Sequence, residues 1–267
     1  MGILEEIINL DYSEIENKAL DFIRRYVSSA GVNGAVLGLS GGVDSSVTAT
    51  LLTKALGREN VLALIMPHKE TSKSDVEDAI EIARLLGISY KVINIDECVK
   101  SIIASSPWLT KLIDKVVRGN IIARIRMVIL YYHANALKRL VAGTSDRSEY
   151  LLGYFTKYGD GAADFFPILD LYKTQVRMLA KYLGLPGKIY EKPSSPGLWK
   201  GHLALEELGF EYDVIDQILY GYFEKKLTIN KLAEEVGLRI DDIKAILERV
   251  KKTEHKRAPL PYPKLRF

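Results

Sequence analysis

Short, uninterrupted apolar runs alternate with stretches of helical period over the first half of the chain. Ala35-Val36-Leu37-Gly38-Leu39, Val61-Leu62-Ala63-Leu64-Ile65-Met66, Tyr90-Lys91-Val92-Ile93-Asn94-Ile95 and Leu140-Val141-Ala142-Gly143-Thr144 predict four strands. Runs without polar alternation suit parallel strands covered on both faces. Residues 3 to 27 place Ile15, Ala19, Phe22, Ile23 and Tyr26 at helical spacing, so one or two helices precede the first strand. Val43 to Leu56 predicts a further helix, and Ser74 with Glu77 forms a capping box for one that runs to Gly87. The order predicts an α/β fold: a doubly wound, mostly parallel sheet with helices on both faces and ligands at the carboxyl ends of its strands.

Three stretches depart from that rhythm. Gly119 to Arg139 has helical spacing but no polar face, with Ile121, Ile122, Ile125, Met127, Val128, Ile129, Leu130, Tyr131 and Tyr132 distributed all round. Such a helix must be covered on most sides, and a homodimer interface through 119–139 is the expectation. Glu191 to Gly201 is rich in Pro, Gly and Ser and predicts a mobile active-site lid. The last third is a helical C-terminal extension, in which Ile229 to Leu238 has the look of the first half of a helix-turn-helix. A recognition helix there would open on Asp241 and Asp242, which phosphate would repel, so ordinary helix packing is expected. The whole of 1–267 reads as a single domain: N-terminal helices over 1–30, a core over about 31–190, then the lid and C-terminal helices over about 191–267.

Composition narrows the class without naming a chemistry. With 267 residues, 48% hydrophobic and 27% charged, the chain can bury a sizeable core. A net charge of +3 is too mild to argue for nucleic acid. The single cysteine, Cys98, lies among acids that would raise its thiol pKa, and it is expected to be a small apolar filler. No leader-like or membrane-spanning run is present, which leads to the expectation of a cytoplasmic protein with no membrane partner.

The chemistry concentrates where the first strand meets its helix, at Ser40-Gly41-Gly42-Val43-Asp44-Ser45-Ser46. Two glycines let the backbone approach a ligand, the first-turn N–H groups face an anion, and Ser40, Ser45 and Ser46 add hydroxyl donors. The Lys-Ser/Thr ending of a Walker A loop is missing, and Asp44 stands where a bare phosphate would be repelled; a divalent cation, Mg2+, reconciles the two. After the fourth strand, Thr144 lies at the sheet edge and Glu149 is placed to join Asp44 on that metal.

The loop resembles that of the N-type ATP pyrophosphatases, which split ATP between its α and β phosphates to adenylate a substrate. Within that superfamily the chain is similar to the NAD synthetases over nearly its whole length. The likeness is carried by Gly119-Asn120 with Ala123-Arg124-Ile125-Arg126-Met127, Lys157-Tyr158-Gly159-Asp160-Gly161, Lys192-Pro193-Ser194-Ser195 with Gly197-Leu198-Trp199, and Glu254-His255-Lys256-Arg257. The resemblance implies amidation of deamido-NAD with ATP as co-substrate and ammonia as nitrogen donor. It implies ATP contacts at Gly38, Leu39, Ser40, Gly41, Gly42, Val43, Asp44, Ser45, Thr144, Lys173 and Ser195, and Mg2+ on Asp44 and Glu149. It assigns deamido-NAD to Arg124, Lys157, Asp164, His255 and Lys256. Catalytic roles fall to Lys173, which screens the departing pyrophosphate, and to Asp160, which binds or deprotonates the incoming ammonium.

One departure stands out: His202-Leu203-Ala204-Leu205 occupies the place where many members have Gln-Thr-Asp-Glu, so no contact is expected from those positions. Glutamine-using members carry an extra amidohydrolase domain; free ammonia is the expected donor here, with a separate glutaminase left open. Two other classes compete. A tRNA-modifying adenylase would share the first loop but should show a basic surface, and a silent nucleotide-binding regulator should have lost acids that this chain keeps.

Overall fold

The computed structural model describes residues 2–199 and 201–265. Its sheet is formed by β1 (Ala35–Gly38), β2 (Val61–Ile65), β3 (Ser89–Val92) and β4 (Leu140–Ala142), ordered β3-β2-β1-β4 with every pairing parallel. Ala35 of β1 faces Val61 on one side and Leu140 on the other, so the two apolar runs nearest the centre are clamped in register. The chain moves outward from β1 through β2 to β3 and then returns to β1's other flank as β4. That reversal creates a switch point whose crevice lies beyond the carboxyl ends of β1 and β4.

The order of helices is α1 (Ile3–Ile8), α2 (Tyr12–Ser29), α3 (Val43–Leu56), α4 (Lys73–Leu86), α5 (Asp96–Ala104), α6 (Lys115–Leu137), α7 (Arg147–Leu152), α8 (Lys173–Tyr182), α9 (Gly187–Tyr190), α10 (Ala204–Leu208), α11 (Tyr212–Phe223), α12 (Ile229–Val236) and α13 (Ile240–Lys252). Leu37, Ala63 and Ile65 join α2, α3, α4 and α8 in one core, whereas Val36, Leu62, Leu64 and Val141 join α5 and α6 in another on the opposite face. Alternate strand residues thus feed two cores, which is why β1 and β2 needed apolar side chains at every position. A third core holds α1, α11, α12 and α13 together as a C-terminal lobe, through Ile7, Ile218, Leu232 and Ile243.

Several local expectations need correction. Helix α4 starts one residue before Ser74, with Ser72 at its N-cap and no capping box; the Ser72 and Ser74 hydroxyls bond each other at 2.7 Å instead. Cys98 is exposed rather than a buried filler, because α5 lies on the surface and turns Val99 inward. Helix α6 begins at Lys115, earlier than expected, and is covered on one side only: Ile122 and Ile125 pack beneath the sheet, while Val128 and Tyr132 remain exposed. Strand β3 is a mostly exposed edge that ends at Val92. Leu232 and Ile243 are buried in the C-terminal lobe, so α12 and α13 are packing helices, and Asp242 is paired with Arg239. Among the described residues no helix is long and apolar enough to cross a membrane. The predicted lid has no regular structure after α9, and its Lys200 lies outside the described residues.

Candidate active site

The switch-point crevice is a cavity of about 480 Å³. Its floor is the turn after β1, and that turn is sterically set: Gly41 has φ +81°, and a Cβ there would meet the Asp75 carbonyl at 2.3 Å. Ser45 and Ser46 donate to the Gly42 carbonyl at 3.1 and 2.8 Å, and Ser46 is fully buried. Ser46 therefore braces the turn and does not face a ligand. The start of α3, bearing Asp44, opens into the cavity as a ready site for anionic oxygens. On the far side of the switch point, a Cβ on Gly143 would meet the Phe166 ring at 2.2 Å. Only glycine lets the chain turn there and bring Thr144 to the cavity wall.

At the centre is Lys173, the first residue of α8, 1% exposed. Its Nζ lies 2.7 Å from Asp44, 2.8 Å from Asp146 and 2.9 Å from Glu149, and 5.1 Å from the centroid of the Tyr212 ring. Asp146 caps α7 by accepting from the Glu149 N–H at 2.8 Å, which turns Glu149 toward the same amine. Burial pulls the lysine toward neutrality, but the three carboxylates outweigh it and hold its pKa well above the ordinary value. Burial together with mutual repulsion pushes the Glu149 carboxyl well up and Asp146 to about 6, against the pull of the Lys173 charge. With one amine and three carboxylates ionised the cluster carries a net charge of −2.

That surplus fits a divalent cation. Oxygens of Asp44, Asp146 and Glu149 lie within 4.8 Å of one another, and Asp44 Oδ1 is buried with no hydrogen-bond partner. Asp146 had no assigned role in the sequence. Its signal was the Asp146-x-x-Glu149 spacing, which equally announces an ordinary helix cap.

Of the remaining expected residues, Gly38, Leu39, Ser40, Gly42, Val43, Ser45, Thr144, Asp160, Ser195 and Lys256 line the cavity with the cluster. Asp160 lines the cavity as an exposed residue, accepting from the Thr156 N–H at 2.9 Å; partial desolvation raises its pKa, against that hydrogen bond and the charges of Arg126 and Lys256. Lys256 donates to the carbonyls of Gly153 and Phe155, both at 2.7 Å, pinning the loop that leads to Asp160. Arg124, Lys157, Asp164 and His255 do not line this cavity. Lys157 donates to the His255 carbonyl at 2.8 Å and Arg124 to the Lys157 carbonyl at 3.3 Å, which gathers three of them nearby. Asp164 is elsewhere, bound to Tyr131 Oη at 3.1 Å and to the Val141 N–H at 2.7 Å.

The Pro-rich segment roofs the cavity and is fastened at several points. Lys192 pairs with Asp75 at 2.5 Å and Asp78 at 2.9 Å, and His68 Nε2 lies 3.2 Å from the Gly197 carbonyl. Ser195 donates to the His202 carbonyl and accepts from the Gly197 N–H at 3.2 Å, so its hydroxyl shapes the segment itself. His202 is not idle: it is buried, stacks on Trp199 with centroids 3.4 Å apart, and pairs with Glu207 at 3.2 Å. No pattern along the chain announces this contact, because ring stacking across a loop has no periodic signature.

Known proteins with this architecture are many. An NH3-dependent NAD+ synthetase of Hyperthermus butylicus is 50% identical over 261 residues, covering 97% of this chain and 94% of the relative. The solved structure of an NH3-dependent NAD synthetase from Campylobacter jejuni, in complex with the nitrate ion, matches with a TM-score of 0.81 at 36% identity, over 96% of this chain and all of that one. An NMN synthetase structure from Francisella tularensis gives 0.82 at 33% identity over the same shares. The NAD synthase family model matches residues 15–260. With a parallel sheet, a glycine turn and an acid-ringed lysine at its switch point, and this extent of shared sequence, the chain belongs to the NAD synthase family.

Proposed function

We propose that this family member, an ammonia-dependent carbon–nitrogen ligase, converts deamido-NAD to NAD by adenylating the nicotinate carboxylate and then aminating it. The observation that carries this reading is the Lys173 cluster beside the glycine turn: one buried cation and three acids at the floor of a nucleotide-sized cavity. The turn over 38–45 binds the phosphates of ATP. The nicotinate carboxylate oxygen attacks the α-phosphorus, the bond to the bridging oxygen breaks, and pyrophosphate leaves with the electron pair. Lys173 neutralises charge as it develops on that leaving group.

Asp44 and Glu149, with Asp146 behind them, are the residues that would hold Mg2+, which supplies charge neutralisation for the polyphosphate. Ammonia then attacks the activated carbonyl, AMP departs, and Asp160 accepts the surplus proton; its raised pKa makes it a better proton acceptor than an ordinary aspartate. The fastened roof over 192–199 keeps water from the mixed anhydride. Arg124, Lys157, His255 and Lys256 cluster where the dinucleotide's second half would lie. Asp164, hydrogen-bonded to Tyr131 and the Val141 N–H, would act through the shape of that region.

A homodimer belongs to the same proposal. Val117, Val128 and Tyr132 form an exposed apolar stripe on α6, and Trp108 and Leu112, in the segment that precedes α6, are 75% and 71% exposed. A second copy of the chain would cover that patch. Incubating the protein with ATP, Mg2+, ammonium and deamido-NAD should yield NAD, AMP and pyrophosphate in equal amounts. A parallel arm with nicotinic acid mononucleotide tests the chemistry suggested by the Francisella likeness. ADP in place of AMP would overturn adenylation, and turnover of the mononucleotide alone would reassign the substrate.

A further inference from the structure

Asp216 lies on α11, outside the cavity, and is completely buried. It enters no ion pair among the described residues, yet three donors converge on it: Ser148 Oγ at 2.5 Å, the Thr174 N–H at 2.8 Å and Thr174 Oγ1 at 2.8 Å. Ser148 belongs to α7 and precedes Glu149; Thr174 belongs to α8 and follows Lys173. The Ser148 oxygen also accepts the Lys173 N–H at 2.9 Å, completing a chain from Asp216 through Ser148 to the backbone of the central lysine. One turn earlier on α11, Tyr212 sets its ring 5.1 Å from the same lysine's Nζ. The face of α11 bearing residues 212 and 216 therefore holds both ends of Lys173.

A buried carboxylate without a cation is costly, and an apolar residue of similar size would pack the lobe more cheaply. What an apolar side chain cannot do is fix the relative position of two helix starts whose Glu149 and Lys173 lie 24 residues apart in sequence. The N-terminus of α8 also offers its N–H groups and positive dipole end to this acid, compensating part of the burial. We propose that Asp216 is a positioning residue: through Ser148 and Thr174 it locks α7 and α8 so that Glu149, Asp146 and Lys173 meet Asp44 in one metal- and phosphate-ready arrangement. The C-terminal lobe thereby becomes part of the catalytic framework. This inference rests on the reading of the cluster as the Mg2+ and ATP site, and its primary test needs no acid dinucleotide.

The test compares the parent with Asp216→Asn, which keeps size and removes the charge, and Ser148→Ala, which cuts the chain at its middle. Calorimetric titration of ATP at a series of Mg2+ concentrations gives the Mg2+ level for half-maximal binding. Both variants should raise it by about tenfold or more, because displacing the acids by a fraction of an ångström undoes their convergence. In turnover, kcat should fall by a similar factor while KM for deamido-NAD stays within about twofold, since that ligand's contacts lie elsewhere. The double variant should be no worse than the worse single one, as both break one chain. Properly folded variants with parental Mg2+ dependence would overturn the proposal, and if Asp216→Asn does not fold, Ser148→Ala decides alone. A parent that binds Mg2+ and ATP but makes no NAD would instead fault the functional reading and leave the binding test of Asp216 standing.

Discussion

Replacing Lys173 by methionine is the most searching perturbation of this site, because it keeps the stem's volume and deletes only the charge. The amine touches three carboxylates at 2.7, 2.8 and 2.9 Å, and its loss changes the cluster from −2 to −3 in a place almost closed to solvent. Removing one partner from a buried ionic group costs about 3–5 kcal/mol. At roughly 2–4 °C per kcal/mol for a chain of this size, metal-free Lys173→Met should melt about 10 °C below the parent at pH 8. The deficit has a sign in pH. The carboxyl values, already raised by burial, rise further without the lysine, so protonation relieves the repulsion and the two proteins should converge toward pH 5. Millimolar Mg2+ should recover part of the loss at pH 8, since a cation substitutes for the missing charge. Pyrophosphate release should fall by about 10² to 10³. Scanning fluorimetry with and without chelator, paired with a pyrophosphate assay, reads all of this. A variant that melts within 2 °C of the parent in chelator at pH 8 would refute the idea that the lysine neutralises a strained acidic cluster.

Other perturbations separate the remaining ideas. Asp44→Asn should leave the fold intact yet abolish most Mg2+-dependent pyrophosphate release, because the unpartnered buried Oδ1 is lost as a metal ligand; full turnover would dismiss it from the metal site. Burial lifts Asp216 from 3.8 to about 7, so the protein binds an extra proton on folding there, and that stability is complete below about pH 4 and lost as pH rises through 7; the shift sets an upper bound of about 4 kcal/mol, and Asp216→Asn should flatten this dependence in urea melts. Gly143→Ala drives a methyl into Phe166 and should cost about 1–3 kcal/mol while weakening ATP binding through Thr144, as denaturation and ATP titration would reveal. Val128→Asp on the exposed face of α6 should turn a dimer into a monomer in sedimentation experiments; an unchanged mass would place the interface elsewhere.

Much of this protein could be read without a structure, and the reason is locality. Strands β1 and β2 are continuous apolar runs because both faces are covered. The turn after β1 is written in adjacent glycines because steric demands of a turn fall on neighbouring residues. Asp44 and Glu149 were legible from short motifs, and Lys173 from the family resemblance alone. Tertiary packing alone decided that Asp146 completes the ring around Lys173 and that Asp164 bonds to Tyr131 and β4. It also decided that Asp216 reaches α7 and α8 from another lobe. Those contacts join segments far apart in the chain, and neither spacing nor periodicity encodes a distance through space. A one-dimensional pattern tells which face of an element is buried; which acids then share one lysine depends on how the faces close upon each other.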